Sequence, residues 1–295
     1  MDPGGAPKWW PDPFARAPYR WWDGERWTGY VAAGGDAVEW DGAPVEPSDA
    51  LARGDAEWEP APPGLRGVGV ALAAFAVGVG LSIGVQLAIA ATTSGETTPA
   101  RRAYELLVSS LALWSGLVGG VVFVSRRRGT RSFARDFGAR IRWSDVGYGL
   151  AASLVGRVIA GVAASPIPVP SRSIGDDERD IFNGAAHGTT GWLVLVVVVC
   201  IGAPVVEELF FRGLVQSRLV ARYGVVFGLV VASLLFGAAH LIAWDGPLTL
   251  AYAWSVAAGG IVLGLTFHLT RRLGTSICAH ALFNAQALLA VALLN

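Results

Sequence analysis

Cysteine, lysine and charge are what this chain has least of. Its 295 residues include two cysteines, Cys200 and Cys278, and both fall in apolar runs. A disulfide framework needs more cysteines in a shorter secreted chain, so both are expected to be small buried residues. Only 16% of residues are charged, and the formal net charge is zero. No basic stripe exists outside short loops, which argues against nucleic acid as a partner. Lysine occurs once, at Lys8, and coding bias accounts for that better than any physical demand. Residues 1–60 are polar and hold no apolar h-region. No cleavable signal peptide is read there, and the first membrane span is expected to act as its own insertion signal.

What the chain does have is apolar length. Hydrophobic residues make up 53% of it and the mean hydropathy is +0.47, with the excess concentrated after residue 65. A helix crossing a bilayer takes about 20 apolar residues. Runs near 66–92, 103–125, 145–164, 190–217, 225–243, 248–269 and 274–294 fit that length. The expected fold class is therefore all-α: a polytopic transmembrane helical bundle of about seven spans over residues 65–295. Two smaller parts precede it. Residues 1–31 form a Trp-rich module containing Trp9, Trp10, Trp21, Trp22 and Trp27. Asp23-Gly24 is a tight-turn signal between aromatic, strand-prone runs, so this module is expected to be partly β. Tryptophan packing against lipid headgroups is the other reading of these residues. Residues 32–64 are acidic and rich in Pro, Ala and Gly, which reads as a flexible linker.

Arginine placement predicts orientation. The loop after the second span holds Arg126, Arg127, Arg128, Arg131, Arg135, Arg140 and Arg142, and positive residues stay cytoplasmic. Counting back two spans places the N-terminus in the cytoplasm of a multi-pass cell-membrane protein. The acidic loop Asp176-Asp177-Glu178 and the turn Trp244-Asp245-Gly246-Pro247 then face outward. Arg101 and Arg102 fall on the outer side, against the trend.

An ionisable residue at the centre of a span costs roughly 2.5–3.5 kcal/mol on insertion scales. The fourth span nevertheless reads Val205-Val206-Glu207-Glu208-Leu209-Phe210-Phe211-Arg212. Glu208 and Arg212 are i,i+4 and share a helix face, so they can pair. Glu207 is rotated about 100° away and has no local cation, which suits a proton-transfer role. The fifth span carries His240 and the seventh carries His280 and Asn284, again i,i+4. At ~1.5 Å per residue, Glu207 lies ~17 Å from Arg218, His240 ~24 Å from Gly224, and His280 and Asn284 ~12 and ~18 Å from Arg272. All four fall in the middle part of a core ~30 Å thick and can converge on one polar cavity. His187, in a loop, and His268, at a span end, do not join them. Pro204, one turn before Glu207, is expected to kink the fourth span and open its backbone. Arg157 lies inside the third span, either facing the cavity or snorkelling to the interface. The glycines Gly78, Gly80, Gly84, Gly116, Gly119 and Gly120 are expected to serve close helix packing.

The order E-E-x-x-x-R, F-x-x-x-H and H-x-x-x-N on successive spans resembles the CPBP family. That family contains the CAAX prenyl endopeptidases and the bacteriocin-processing and immunity proteins. The likeness covers about residues 65–295, its motifs are confined to 204–284, and no motif position departs from the pattern. It implies an intramembrane endopeptidase in which Glu207 and His240 activate water. His280 and Asn284 would then stabilise the oxyanion, with Glu208 and Arg212 in support. Residues 7–31 resemble a short Trp-rich domain of unknown function found at the ends of bacterial membrane proteins, which implies a docking or sensing module with a protein partner.

Peptide hydrolysis requires an activated water and donors aimed at a developing oxyanion, and these residue types supply both. Zinc is the open alternative for water activation, with Glu207, His240 and His280 as candidate ligands, although the H-E-x-x-H spacing is absent. The implied partners are membrane lipid and a membrane-associated protein or peptide substrate. Two further functions fit the same residues. One is a non-catalytic membrane scaffold or bacteriocin-immunity-type protein, which would be expected to have lost a motif residue. The other is a proton-coupled transporter, which more often shows internal repeats; none is found.

Overall fold

The computed structural model describes residues 7–11, 18–23, 27–32, 38–40, 66–93, 98–128, 131–165, 185–242 and 249–294. The expected outer loop 176–178, the turn 244–247 and residues 41–64 of the linker lie outside the described residues.

The N-terminal tryptophans build a four-stranded antiparallel meander in the order β1 (Lys8–Pro11), β2 (Tyr19–Trp22), β3 (Trp27–Ala32) and β4 (Val38–Trp40). Aromatic residues meet directly across the strands. Trp9 faces Trp21 with ring centroids 5.4 Å apart, and Trp22 faces Trp27 at 5.3 Å. Arg20 is buried among them and donates from Nη1 to the Thr28 carbonyl at 2.8 Å. β4 lies in the stretch expected as linker, so the sheet extends further along the chain than the sequence pattern indicated.

The rest is helical. The helices are α1 (Arg66–Thr92), α2 (Pro99–Arg128), the short α3 (Phe133–Phe137), α4 (Ser144–Ala164), α5 (Gly188–Tyr223), α6 (Val225–Ala239), α7 (Thr249–Thr270) and α8 (Leu273–Leu294). Six of them (all but α3 and α6) are long and apolar enough to cross a membrane, and the molecule is a multi-pass membrane protein. The fifth expected span is shorter than its apolar run. Its 15 residues reach only ~22 Å, and the backbone tightens into a 3-10 turn over His240–Ile242.

The surface is inverted relative to a water-soluble domain. Leu87, Val158, Val226 and Leu269 are exposed, whereas Glu208, Arg212, Gln216 and His280 are buried. That distribution is expected where lipid is the solvent. α1 and α2 pack on small residues: a Cβ on Gly116 would come within 2.5 Å of Gly78 Cα, and one on Gly120 within 2.4 Å of Ala74 Cβ. Gly80, Gly84 and Gly119 face open space, so only part of the expected glycine packing is present. Arg101, one of the two arginines against the orientation trend, pairs with Glu105 at 2.7 Å. Cys200 and Cys278 are free and half-buried rather than buried.

α5, α6, α7 and α8 surround the polar cluster, and α5 is irregular in two places. Residues 196–202 and 209–216 are π-helical. Pro204 explains the first. It has no N–H to give and its ring crowds the carbonyl four residues back, so the preceding turn widens. Ala203 N–H then reaches back to Val198 O. The Val199 carbonyl has no backbone donor available from Pro204, and Asn284 Nδ2 supplies one at 2.8 Å.

Candidate active site

Glu207 and Glu208 sit between the two π-helical segments of α5. Their adjacency puts them on different faces, as helical spacing requires. Glu208 is fully buried, and its Oε1 accepts from His280 Nδ1 at 3.0 Å and forms an ion pair with Arg212 Nη1 at 2.9 Å. Arg212 continues the network, donating from Nη2 to the Gly260 carbonyl at 3.2 Å. Its guanidinium also lies over the Phe236 ring, 4.2 Å from the centroid. Gly260 permits this approach, since a Cβ there would sit 3.1 Å from Phe236 and 3.4 Å from Arg212 Nη2.

Glu207 has a different environment. Its side chain retains 18% exposure, and its Oε2 lies 4.0 Å from His280 Nε2. That separation is too long for a direct hydrogen bond and suits a bridging water. His240 Nδ1 donates to the Phe236 carbonyl at 2.8 Å. A carbonyl only accepts, so Nδ1 carries the proton and neutral His240 presents a bare Nε2. Glu207 and His280 are both near enough to His240 to act on it electrostatically. Phe236 organises the cluster with its edges: its centroid is 4.9 Å from the His240 ring and 5.6 Å from the His280 ring, both T-shaped.

The structure thus brings Glu207, Glu208, Arg212, His240 and His280 into one cluster, contributed by α5, α6 and α8. Asn284 lies one turn beyond His280 on α8 and is committed through one Nδ2 hydrogen to Val199. Its second hydrogen remains for another acceptor. His187 is exposed and His268 is half-buried in the last turn of α7, and neither joins the cluster. Arg157 does not snorkel away. It stacks 3.8 Å over the Phe283 ring and donates to the Phe283 carbonyl at 2.5 Å, holding α4 to α8 beside Asn284.

Two contributors escaped the reading of the sequence, and Phe236 entered it only as the first position of F-x-x-x-H, with no role. Gln216 is one more i,i+4 step beyond Arg212, a signal that was present but unused. Asp145, at the start of α4, is fully buried. Its Oδ1 accepts from Arg272 Nη2 at 2.6 Å and Thr275 Oγ1 at 2.6 Å, and its Oδ2 from the Arg142 N–H at 2.7 Å.

The zinc alternative meets this geometry poorly. Among the described residues no three His, Cys, Asp or Glu side chains group as a metal site. His280 Nδ1 and His240 Nδ1 are both engaged as donors, which leaves Nε2 of each ring and the Glu207 carboxylate. These are ligand types that zinc accepts, but they do not group as a metal site here, so no step is assigned to one.

Residues 189–286 match the family model described as type II CAAX prenyl endopeptidase Rce1-like. No curated protein and no solved structure matches the chain. The matched segment contains Glu207, Glu208, Arg212, Phe236, His240, His280 and Asn284, and over that segment the chain is similar to the CAAX prenyl endopeptidases.

Proposed function

We propose that this protein hydrolyses a peptide bond of a membrane-associated protein or peptide, using Glu207 as the base that activates water. The observation that carries the reading is the convergence of Glu207 and Glu208 of α5 on His280 of α8, at 4.0 and 3.0 Å, inside an apolar bundle. Glu207 takes a proton from the water as its oxygen bonds to the scissile carbonyl carbon. The bare Nε2 of His240 accepts the water's other hydrogen and fixes its orientation. The oxyanion that forms is met by the spare Nδ2 hydrogen of Asn284, and by His280 Nε2 when that ring is an imidazolium. As the C–N bond breaks, Glu207 returns its proton to the leaving amine. Glu208 and Arg212 hold His280 in position and touch no reacting atom.

Positive charge retained in the cytoplasm puts the loop of Arg126, Arg127 and Arg131 on that side. The N-terminal sheet belongs on the same side, a placement supported by the Arg135 Nη1 to Tyr30 Oη hydrogen bond of 2.9 Å. There the sheet serves as a docking module for a protein partner. The test is a comparison of the membrane peptides of cells carrying wild type or Glu207→Ala. A fragment that disappears in the variant supports proteolysis and names the substrate. An unchanged peptide population would favour the scaffold or immunity-type alternative.

A further inference from the structure

Hydrolysis inside a lipid-facing bundle needs water delivered to it, and the buried polar atoms mark a route. Three acceptor oxygens lie buried without a protein donor: Glu207 Oε2, Glu208 Oε2 and Gln216 Oε1. An unmet buried polar group costs about 1–3 kcal/mol, and a hydrocarbon surrounding offers no relief. Each of the three needs a donor, and water is the small molecule that provides one.

The three are aligned. Glu208, Arg212 and Gln216 follow one another at i,i+4 along α5, and Glu207 adjoins their upper end. Gln216 lies eight residues further along α5 than Glu208. Polar residues continue past Gln216 through buried Ser217 and Arg218 to exposed Arg222. The opposing wall is kept low by Gly260 and Gly264 on α7 and by Ser233 on α6. A Cβ at Gly264 would sit 2.5 Å from Gln216 Oε1, so this glycine lets the Gln216 amide lie directly against the α7 backbone. Gln216 itself is fixed by donating from Nε2 to the Gly264 carbonyl at 2.9 Å. Phe236 flanks the middle of the row, beside Gly260 and Arg212.

We infer that a file of water molecules runs along the Gln216–Arg212–Glu208 face of α5 and feeds Glu207 from the Arg218 end of that helix. Gln216 is a positioning residue whose orphan carbonyl accepts from the first water of the file. The substrate and the water then reach the glutamate by different ways: the peptide from the partly open Glu207 side, the water from behind. The existence of the file stands on the buried polar atoms alone. Its use in catalysis rests on the proposed protease reading.

The full chain in lipid nanodiscs tests this by hydroxyl-radical footprinting in ¹⁸O-labelled water, which marks side chains lying beside internal water. Phe236 and Phe137 are both buried, at 3% and 0% exposure. Phe236 is expected to be labelled and Phe137 not. Gln216→Leu should bring Phe236 labelling down to that of Phe137, while exposed Tyr104 is labelled as before. Gly264→Ala, which displaces the Gln216 amide, should cause a partial loss and serves if Gln216→Leu fails to fold. A dry Phe236 in the wild type, or labelling untouched by both variants, overturns the file. In a cleavage assay Gln216→Leu should lower kcat severalfold and leave KM unchanged. Lost labelling with an unchanged kcat would overturn the delivery role. Wild type that labels as expected but cleaves nothing would count against the protease reading alone.

Discussion

Two buried carboxylate clusters lie in the same helical bundle, and they are built to opposite rules. At Asp145 both carboxylate oxygens are saturated: Arg272 and Thr275 fill Oδ1 and the Arg142 N–H fills Oδ2. At the candidate site Glu207 and Glu208 each keep one oxygen without a protein donor. The first arrangement is what a buried charge needs in order to be stable. The second leaves acceptors for water and substrate. A count of filled lone pairs therefore separates a structural carboxylate from a reactive one where burial and charge alone do not.

Substitution sharpens the contrast most at its extremes. Glu207→Gln keeps the volume and hydrogen-bonding groups but removes the base. Proteolysis is expected to fall at least about a thousandfold, within the range that general-base residues supply, while the melting temperature in detergent stays near wild type. Retained cleavage would break the comparison at its reactive end. Asp145→Asn should do the reverse. The amide NH2 must face either Arg272 or the Arg142 N–H, placing donor against donor in a buried site. Stability should drop by about 3 kcal/mol, measured by thermal denaturation, with kcat of the folded fraction unchanged.

Glu208→Gln falls between the two, because Glu208 shares features of both clusters. An amide oxygen still accepts from His280 Nδ1, but the charge opposite Arg212 is gone. Cleavage should fall by about tenfold to a hundredfold, less than for Glu207→Gln, with a measurable loss of thermal stability. Equal losses in Glu207→Gln and Glu208→Gln would erase the distinction between base and support. Chelation should change neither cluster. Activity that vanishes with a chelator and returns with zinc alone would show a ligand set that the side chains must rearrange to form.

Much of the site was legible because helical spacing and membrane depth are local arithmetic. The i,i+4 relation of Glu208 and Arg212 became an ion pair of 2.9 Å. Glu207 and His280, whose depths were counted from Arg218 and Arg272, lie 4.0 Å apart. What was not legible depends on partners remote in sequence. Asp145 reads as one more charge near a span end until Arg272 and Thr275 fold over it. Pro204 promised a kink, but the consequence is a widened turn that hands the Val199 carbonyl to Asn284. The fifth apolar run looked long enough to span, yet the helix ends at Ala239 and His240 starts a 3-10 turn. That turn cannot be read from apolar content. At the N-terminus, tryptophan spacing indicated a hairpin, whereas the pairing of β4 with β3 rests on backbone register, which three residues of sequence do not fix.

The smallest expected effect concerns the link between the Trp-rich sheet and the bundle. Arg135 on α3 donates to the Tyr30 hydroxyl on β3 at 2.9 Å, in an exposed position. A single hydrogen bond in contact with water stabilises by about 0.5–1.5 kcal/mol at most, so Arg135→Ala should leave cleavage by the folded protein unchanged. It should instead raise hydrogen exchange in residues 27–32 when measured in nanodiscs, since that strand loses a tether to the bundle. Tyr30→Phe should give the same increase, because it removes the same acceptor and keeps the ring. An increase in one variant only would mean that ring packing, not the hydrogen bond, holds the sheet. A change in kcat in either variant would place the sheet in contact with the catalytic cycle and make it a second functional region rather than a docking module.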